Sequence, residues 1–587
     1  MSSDATNKQA SNRTNKHLMI CLFIMDDTPV LSAQENASNF STKRRTLALV
    51  IVSIAFIMDL LDSTIVNIAI PSIRTNLSAS YSAIQWIVAG YSLAFALLLV
   101  TGGRMGDVFG YKKLFLFGIG GFTIASLLSG VSQDPAMLIA ARALQGSMAA
   151  LMVPQVISLM QVMYKPAERA GINGLFGAMG GLAATLGPIV GGLLIKANLL
   201  NLDWRPIFLI NVPIGIFGLL AAIRYLPNGK SSHPLKLDFI GTFLVMLALL
   251  LLIFPLIQGR EYNWPDWSFI MMAASLPVFV IFAWWQRRKQ VIDGSPLILP
   301  ALFRLKSFVA GLAVNLIFEM AMIGFFLTFG LVLQIGLGFS PIHAAITGVP
   351  LAIGIGFTMA TLGKSVIPKL GRYSLAIGTV VMGIGMSLSA LIIYHYELGL
   401  HSWQLIPGLL IMGIGMGCVF GALFASVLNG VDPKHAGSAS GTLNAVQQVG
   451  GVIGVAVIGV IFFGQLTSRA PASFSSIEPS LKTSLSAQQI PAKEQVEIVS
   501  AAKTCFVDIA KEQDSSVIPS VCKNTGNSPA IAGIEKSVNK SIASANSRNF
   551  TNAFRWSIIY TLGVLALAFS ITFLLPSKFK TEAFSEV

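Results

Sequence analysis

Fourteen apolar runs set the terms on which this chain can fold. They fall at about 47–73, 82–103, 113–132, 136–160, 171–195, 204–226, 239–257, 267–285, 308–335, 343–363, 374–394, 403–428, 437–464 and 554–576. A helix needs roughly 20 apolar residues to cross the hydrocarbon core of a bilayer, and each run is near that length. Only 11% of the residues are charged and 54% are hydrophobic, whereas soluble domains carry about 25% charged residues. The expected class is an all-α polytopic membrane protein with 14 transmembrane helices and the lipid bilayer as its first partner.

An even number of spans puts both termini on one side. Loops on that side carry Arg104, Lys112, Lys113, Arg224, Lys236, Arg287, Arg288, Lys289 and Arg304, while short loops opposite hold only Arg74, Lys196, Arg205 and Arg260. Basic residues are retained on the cytoplasmic side, so both termini are expected in the cytoplasm of a multi-pass plasma-membrane protein. The net charge of +14 is thereby read as topology, with no nucleic-acid partner. All eight tryptophans lie at predicted helix ends, as in an interfacial aromatic belt. Residues 1–45 read as a cytoplasmic tail, since Leu18–Met25 is too short to span, and 577–587 as a second tail. Residues 465–553 are polar and lie outside the cytoplasm by parity. They contain Cys505 and Cys522. A shared oxidising compartment makes a disulfide between them the expected pairing.

Chemistry concentrates in the first run. Asp59 and Asp62 lie near its middle, three residues apart, on one helical face. A carboxylate at that depth costs about 2.5–3.5 kcal/mol, and such groups usually mark pathways or relays. Arg142 stands in the outer half of the fourth run and Glu319 near the middle of the ninth. Arg142 reads either as a static salt-bridge partner for the first run or as a tuner of Asp62: desolvation favours the protonated acid, a guanidinium the carboxylate. Asp59 is the reserve candidate and a relay. Glu319 reads either as a protonated, packed acid or as a second proton or cation site.

The stretch Gly103-Arg-Met-Gly-Asp-Val-Phe-Gly-Tyr-Lys-Lys113 places Gly103, Gly106 and Gly110 where a tight turn and close helix approach need them. It sets Asp107 among Arg104, Lys112 and Lys113. It resembles the loop signature of the major facilitator superfamily, and a weaker echo without the acid follows at 363–372. Asp62-Ser-Thr-Ile-Val-Asn-Ile-Ala-Ile-Pro71, Arg142-Ala-Leu-Gln-Gly146, Gly187-Pro-Ile-Val-Gly-Gly192 and Trp204-Arg-Pro-Ile-Phe-Leu-Ile-Asn-Val-Pro-Ile-Gly215 resemble motifs of its fourteen-span drug:proton antiporters of the EmrB/QacA type. Ala183 and Ala89 depart from that pattern: some members carry a glycine at the first and an acid at the second.

The resemblance implies a major facilitator fold of two six-helix bundles, 46–226 and 307–576, with two inserted helices within 227–306. It implies a gate at the cytoplasmic mouth built on Gly103, Arg104, Asp107, Gly110, Lys112 and Lys113. Gly187 and Pro188 would bend helix 5, since a mid-helix proline removes a backbone bond, and Gly191 and Gly192 would let another helix approach.

The expected function is a proton-coupled exporter of amphipathic or cationic small molecules: drugs, dyes, antiseptics or secondary metabolites. Protons are the coupling partner, a proton gradient is the energy source, and an accessory envelope protein is a further candidate partner. No metal, cofactor or catalytic residue is expected. An uptake carrier of the same fold is the alternative. A membrane-embedded acyltransferase, suggested by His233 and Asp238 at H-x4-D spacing, is weak because a lone short motif recurs by chance. Asp238 suits the start of helix 7 better. Gly229-Lys-Ser-Ser232 lacks the earlier glycine of a phosphate-binding loop, so ATP is not the energy source.

Overall fold

The computed structural model describes residues 42–164, 186–230, 236–259, 261–363, 366–428, 436–511 and 529–577, with isolated positions such as Phe176, Ala183 and Cys522. Among them are 13 helices long and apolar enough to span a membrane. The first half contributes α1 (Thr42–Asn76), α2 (Tyr81–Phe109), α3 (Tyr111–Gly130), α4 (Pro135–Met163), the short apolar α5 (Leu186–Ala197) and α6 (Pro206–Tyr225). α5 is the described part of the fifth run. Then come α7 (Phe239–Gln258) and α8 (Asp266–Asp293). The second half holds α9 (Lys306–Gly336), α10 (Pro341–Thr361), α11 (Arg372–Tyr396), α12 (Ile406–Leu428) and α13 (Ala436–Ser475). Two shorter helices, α14 (Glu478–Ser486) and α15 (Ala492–Lys511), precede α16 (Pro529–Thr572). No strand occurs among the described residues.

Local chemistry fixes several of these ends. Ser80 accepts from the Ala83 amide at 3.1 Å and Asp134 from the Met137 amide at 2.9 Å, each satisfying an orphan donor of a first turn. Pro135 follows its cap at the first helical position, where a missing N–H costs nothing. Between α2 and α3 the chain turns on Gly110 at φ 98°, a left-handed value that disfavours any side chain. Gly102 sits against the Ala150 carbonyl of α4 and Gly413 against the Leu351 carbonyl of α10. Small residues at such crossings let helices pack without a water-driven hydrophobic effect.

The bundle has two ends, which we call the loop face, where Gly110 turns the chain, and the disulfide face. Arg372, opening α11, donates to the carbonyls of Phe573 and Leu575 at 3.1 Å each, so α16 ends on the loop face. On the other face Cys505 and Cys522 are joined by a disulfide. The polar segment there is not a plain loop. α13 continues past the expected end of its apolar run and α16 begins well before its own. With α14 and α15 they enclose a separate core of Phe474, Ile477, Leu481, Leu485, Val499 and Phe506. These apolar residues are too sparse to read as spans yet lie at helical spacing, so they bury one stripe per helix.

α7 packs beside α2, and α8 packs on α7. Thr101 meets Thr242 at 2.9 Å and Ser82 donates to the Ile257 carbonyl at 3.0 Å. The aromatic-belt reading fails for Trp204. It is fully buried, with Nε1 donating to Asn76 Oδ1 at 3.1 Å, because its ring packs under the loop that joins α1 to α2.

Candidate functional site

α1 carries Asp59 and Asp62 inward, 7% and 1% exposed. The proline-free run from Thr42 to Ile70 keeps the helix regular through both. Asp62 is the hub. One carboxylate oxygen, Oδ2, is paired with Arg142 Nη1 of α4. The other, Oδ1, accepts from Gln145 Nε2 and from Asn211 Nδ2 of α6, both at 2.8 Å. Gln145 also donates to Ser126 of α3 at 2.8 Å, and its Oε1 accepts from Arg142 at 2.7 Å. Three helices of the first half therefore meet on one carboxylate, and α3 joins them through Gln145. Gln145, Ser126 and Arg142 are at most 1% exposed, and a buried ion pair holds only when the remaining donors and acceptors are also satisfied.

Asp59 takes a separate partner. The Tyr91 hydroxyl of α2 donates to its Oδ1. The Tyr91 ring lies under the Arg142 guanidinium at 4.2 Å, with Phe208 on the same cation at 5.6 Å. Arg142 thus has a carboxylate at its end and aromatic faces along its plane, an arrangement suited to a guanidinium and not to an ammonium. Tyr91 links the two acids through the cation. Beside Asp62, a cavity of about 510 Å³ opens between α1, α5 and α6. Leu61, Ile65, Val190, Ile207 and Phe217 line it, with Asn211 the other polar group.

The arrangement separates the sequence candidates. Asp62, Arg142 and, through Tyr91, Asp59 come together. Glu319 stands apart in the second half, 8% exposed, accepting from Gln447 Nε2 of α13 at 2.7 Å. In α5, Gly187 faces Thr64 of α1, and a side chain on Gly191 would come 2.7 Å from both Ile65 and Ile68. A side chain on Gly192 would come 2.8 Å from Ile342 Cα, at the start of α10. Gly187 and Gly191 thus bring α5 against α1, and Gly192 brings the halves together. A bend at Pro188 lies at the edge of the described residues. His233 and Lys364 lie outside them.

The charges of the 103–113 turn are paired differently from the expected network. Arg104 donates to the carbonyls of Ser295 at 2.8 Å and Lys236 at 3.3 Å, and to that of Pro296. Asp107 accepts from Tyr111 at 3.0 Å and Lys112 donates to the Ile223 carbonyl at 2.9 Å. Among the described residues no ion pair joins Asp107 to Arg104, Lys112 or Lys113. The fork of a guanidinium matches clustered carbonyls that the segment after α8 presents. Asp238 braces that segment. Burial favours its neutral acid, yet donors on Trp285, Gly241, Gln286 and Leu297 hold it below the ordinary carboxylate range. Arg104→Ala is expected to cost about 1.5–3 kcal/mol, read as a lowered melting temperature of the purified protein. Asp107→Asn should stay within about 0.5 kcal/mol. Equal losses would restore Asp107 as the main anchor.

Sequence reasoning did not single out Gln145, Asn211, Tyr91 or Ser126. Gln145 and Asn211 were inside quoted motifs, one helical turn from Arg142 and two turns past Trp204, and polar residues in apolar runs were the available signal. Tyr91 carried none.

The contacts described between the halves lie toward the disulfide face: Gly192 against Ile342, Gln85 Nε2 on the Val455 carbonyl at 2.8 Å, and Tyr81 stacked on Phe463 at 4.1 Å. Residues 52–455 match the family model described as Major Facilitator Superfamily. The chain is 43% identical over 544 residues to the probable actinorhodin transporter of Streptomyces coelicolor, covering 92% of this chain and 93% of that protein. It is 33% identical over 462 residues to the cephamycin export protein CmcT of Amycolatopsis lactamdurans, covering 76% and 91%. Among solved structures, a bacterial homolog of the human lysosomal transporter Spinster, inward-facing and occupied, aligns with TM-score 0.57 at 16% identity, covering 91% of this chain and 97% of that one. The chain belongs to the Major Facilitator Superfamily, and its relatives in that family are named transporters, exporters and resistance proteins rather than enzymes.

Proposed function

We propose that the protein exports amphipathic or cationic organic molecules across the plasma membrane in exchange for protons, with Asp62 carrying the proton. The carrying observation is the double role of Asp62: the hub that ties α1, α4 and α6, and the acid on the edge of a 510 Å³ apolar cavity. A proton on Asp62 removes the charge that Arg142 faces. The pair loosens, α1 and α4 lose their strongest tie, and the bundle's two-state equilibrium shifts. A cationic cargo in the cavity competes with that proton for one carboxylate. Tyr91 and Asp59 offer the displaced guanidinium and the proton a second station, and Glu319 is a further proton or cation site. Relatives named for actinorhodin transport and cephamycin export support the outward direction.

Everted membrane vesicles test the reading. Respiration acidifies their interior, and a fluorescent cationic dye should accumulate there only in vesicles bearing this protein. Nigericin, which collapses the pH difference, should release it. Accumulation that survives nigericin, or that follows a sodium gradient instead, would overturn proton exchange. The orientation is checked separately: alkaline phosphatase fused after Ala472 should be active and after Lys230 inactive, and the reverse pattern would place the loop face outside.

A further inference from the structure

On the disulfide face lies a second cavity, of about 690 Å³, that the transport reading leaves unused. Three arginines reach it: Arg469 from α13, and Arg548 and Arg555 from α16. Its acid, Glu397, ends α11 with a left-handed φ of 45°, a conformation uncommon outside glycine. That acid is already engaged, pairing with Arg548 at 3.2 Å, while Arg548 also donates to Ser476 Oγ at 2.9 Å. Arg469 and Arg555 have no carboxylate partner among the described residues. Their guanidinium groups lie over aromatic faces instead, Arg469 over Trp556 at 5.8 Å and Arg555 over Tyr394 at 5.4 Å.

The surroundings specify the ligand. Below the arginines, the exposed face of α11 runs through Ile377, Val380, Ile384 and Leu391 to Tyr394, at 45–65% exposure. The exposed face of α16 runs from Trp556 through Ile559 to Leu567, at 42–54%. Both are apolar stripes at helical spacing that end in Tyr or Trp, the residues that mark headgroup depth. The cavity therefore has guanidinium groups at the headgroup level and two lipid-facing helices beneath. A guanidinium pairs with phosphate through two parallel hydrogen bonds. The geometry points to a binding site for the phosphate headgroup of an anionic phospholipid, whose acyl chains lie along α11 and α16. The free arginines make the phosphate contact, while Arg548 and Glu397 close the back of the site. Such a lipid would brace α11 against α13 and α16, the helices that line the cavity.

The test uses the full-length protein in bilayer nanodiscs of phosphatidylcholine with one fifth phosphatidylglycerol, released and analysed by native mass spectrometry. The wild type is expected to retain phosphatidylglycerol in preference to phosphatidylcholine. The double variant Arg469→Ala/Arg555→Ala should weaken that retention by roughly 25-fold, at about fivefold for each basic group near an anionic lipid. Arg288→Ala, on the loop face, is the matched control and should leave it unchanged. Inorganic phosphate at millimolar concentration should not displace the lipid. Displacement by phosphate would make the cavity a free-anion site and overturn the lipid assignment. Equal retention of both lipids, or retention unaffected by the double variant, would also overturn it. A double variant that keeps phosphatidylglycerol but loses dye affinity would reassign the cavity to the transported cargo. Unchanged melting of the double variant in pure phosphatidylcholine nanodiscs checks that the fold is intact.

Discussion

Asp62→Asn is expected to abolish proton-driven accumulation while leaving cargo binding measurable. The amide has nearly the same shape, and its oxygen can still accept from Gln145 and Asn211, which now donate to Oδ1 at 2.8 Å. What it loses is the charge. Arg142, 1% exposed, is then a buried cation without its carboxylate, and breaking a buried pair from one side costs about 3–5 kcal/mol. Asp59, reached through Tyr91, is the acid placed to take part of that load, so the variant should fold with a lowered melting temperature. Uphill transport in everted vesicles should fall to background, and equilibrium binding of a neutral cargo should change little. Full proton-driven accumulation by Asp62→Asn, with loss in Asp59→Asn or Glu319→Gln, would move the coupling site.

Arg142→Ala should act on the same acid with the opposite sign of charge. The guanidinium is the charge that Asp62 Oδ2 faces. Without it, Asp62 keeps only the hydrogen bonds from Gln145 and Asn211, and α1 loses its charged tie to α4. A proton on Asp62 then breaks no ion pair, so it no longer shifts the bundle between its two states, and uphill transport in everted vesicles should fall to near background. Arg142→Lys keeps the charge but cannot lie flat on Tyr91, 4.2 Å below the present guanidinium. It should recover only part of the lost rate. Uphill transport left intact by Arg142→Ala, with only a lowered melting temperature, would reduce Arg142 to a static tie between α1 and α4. The two variants are not additive, because each removes one partner of the same pair.

The sequence by itself determined the number of spans, because bilayer thickness fixes the length of any apolar helix and that length is counted along one dimension. It singled out Asp62, Arg142 and Glu319 as well, since a charge inside an apolar run is conspicuous whatever it touches. Tertiary structure decided the partners. Nothing linear tells that Asp62 meets Asn211, 149 residues away, or that Tyr91 joins Asp59 to the guanidinium, because helix rotation and crossing angle set those contacts. The sequence left Glu319 open between a packed acid and a second proton or cation site, and packing gave it the side-chain amide of Gln447 where Asp62 has a guanidinium. Arg104 was grouped with Asp107 by proximity along the chain, and the carbonyls after α8 took it instead, being nearer to the shape its planar fork requires. The polar segment around Cys505 was read as a loop because its apolar residues are sparse. They become a core only when four helices stand together and each contributes a stripe too narrow to show on its own.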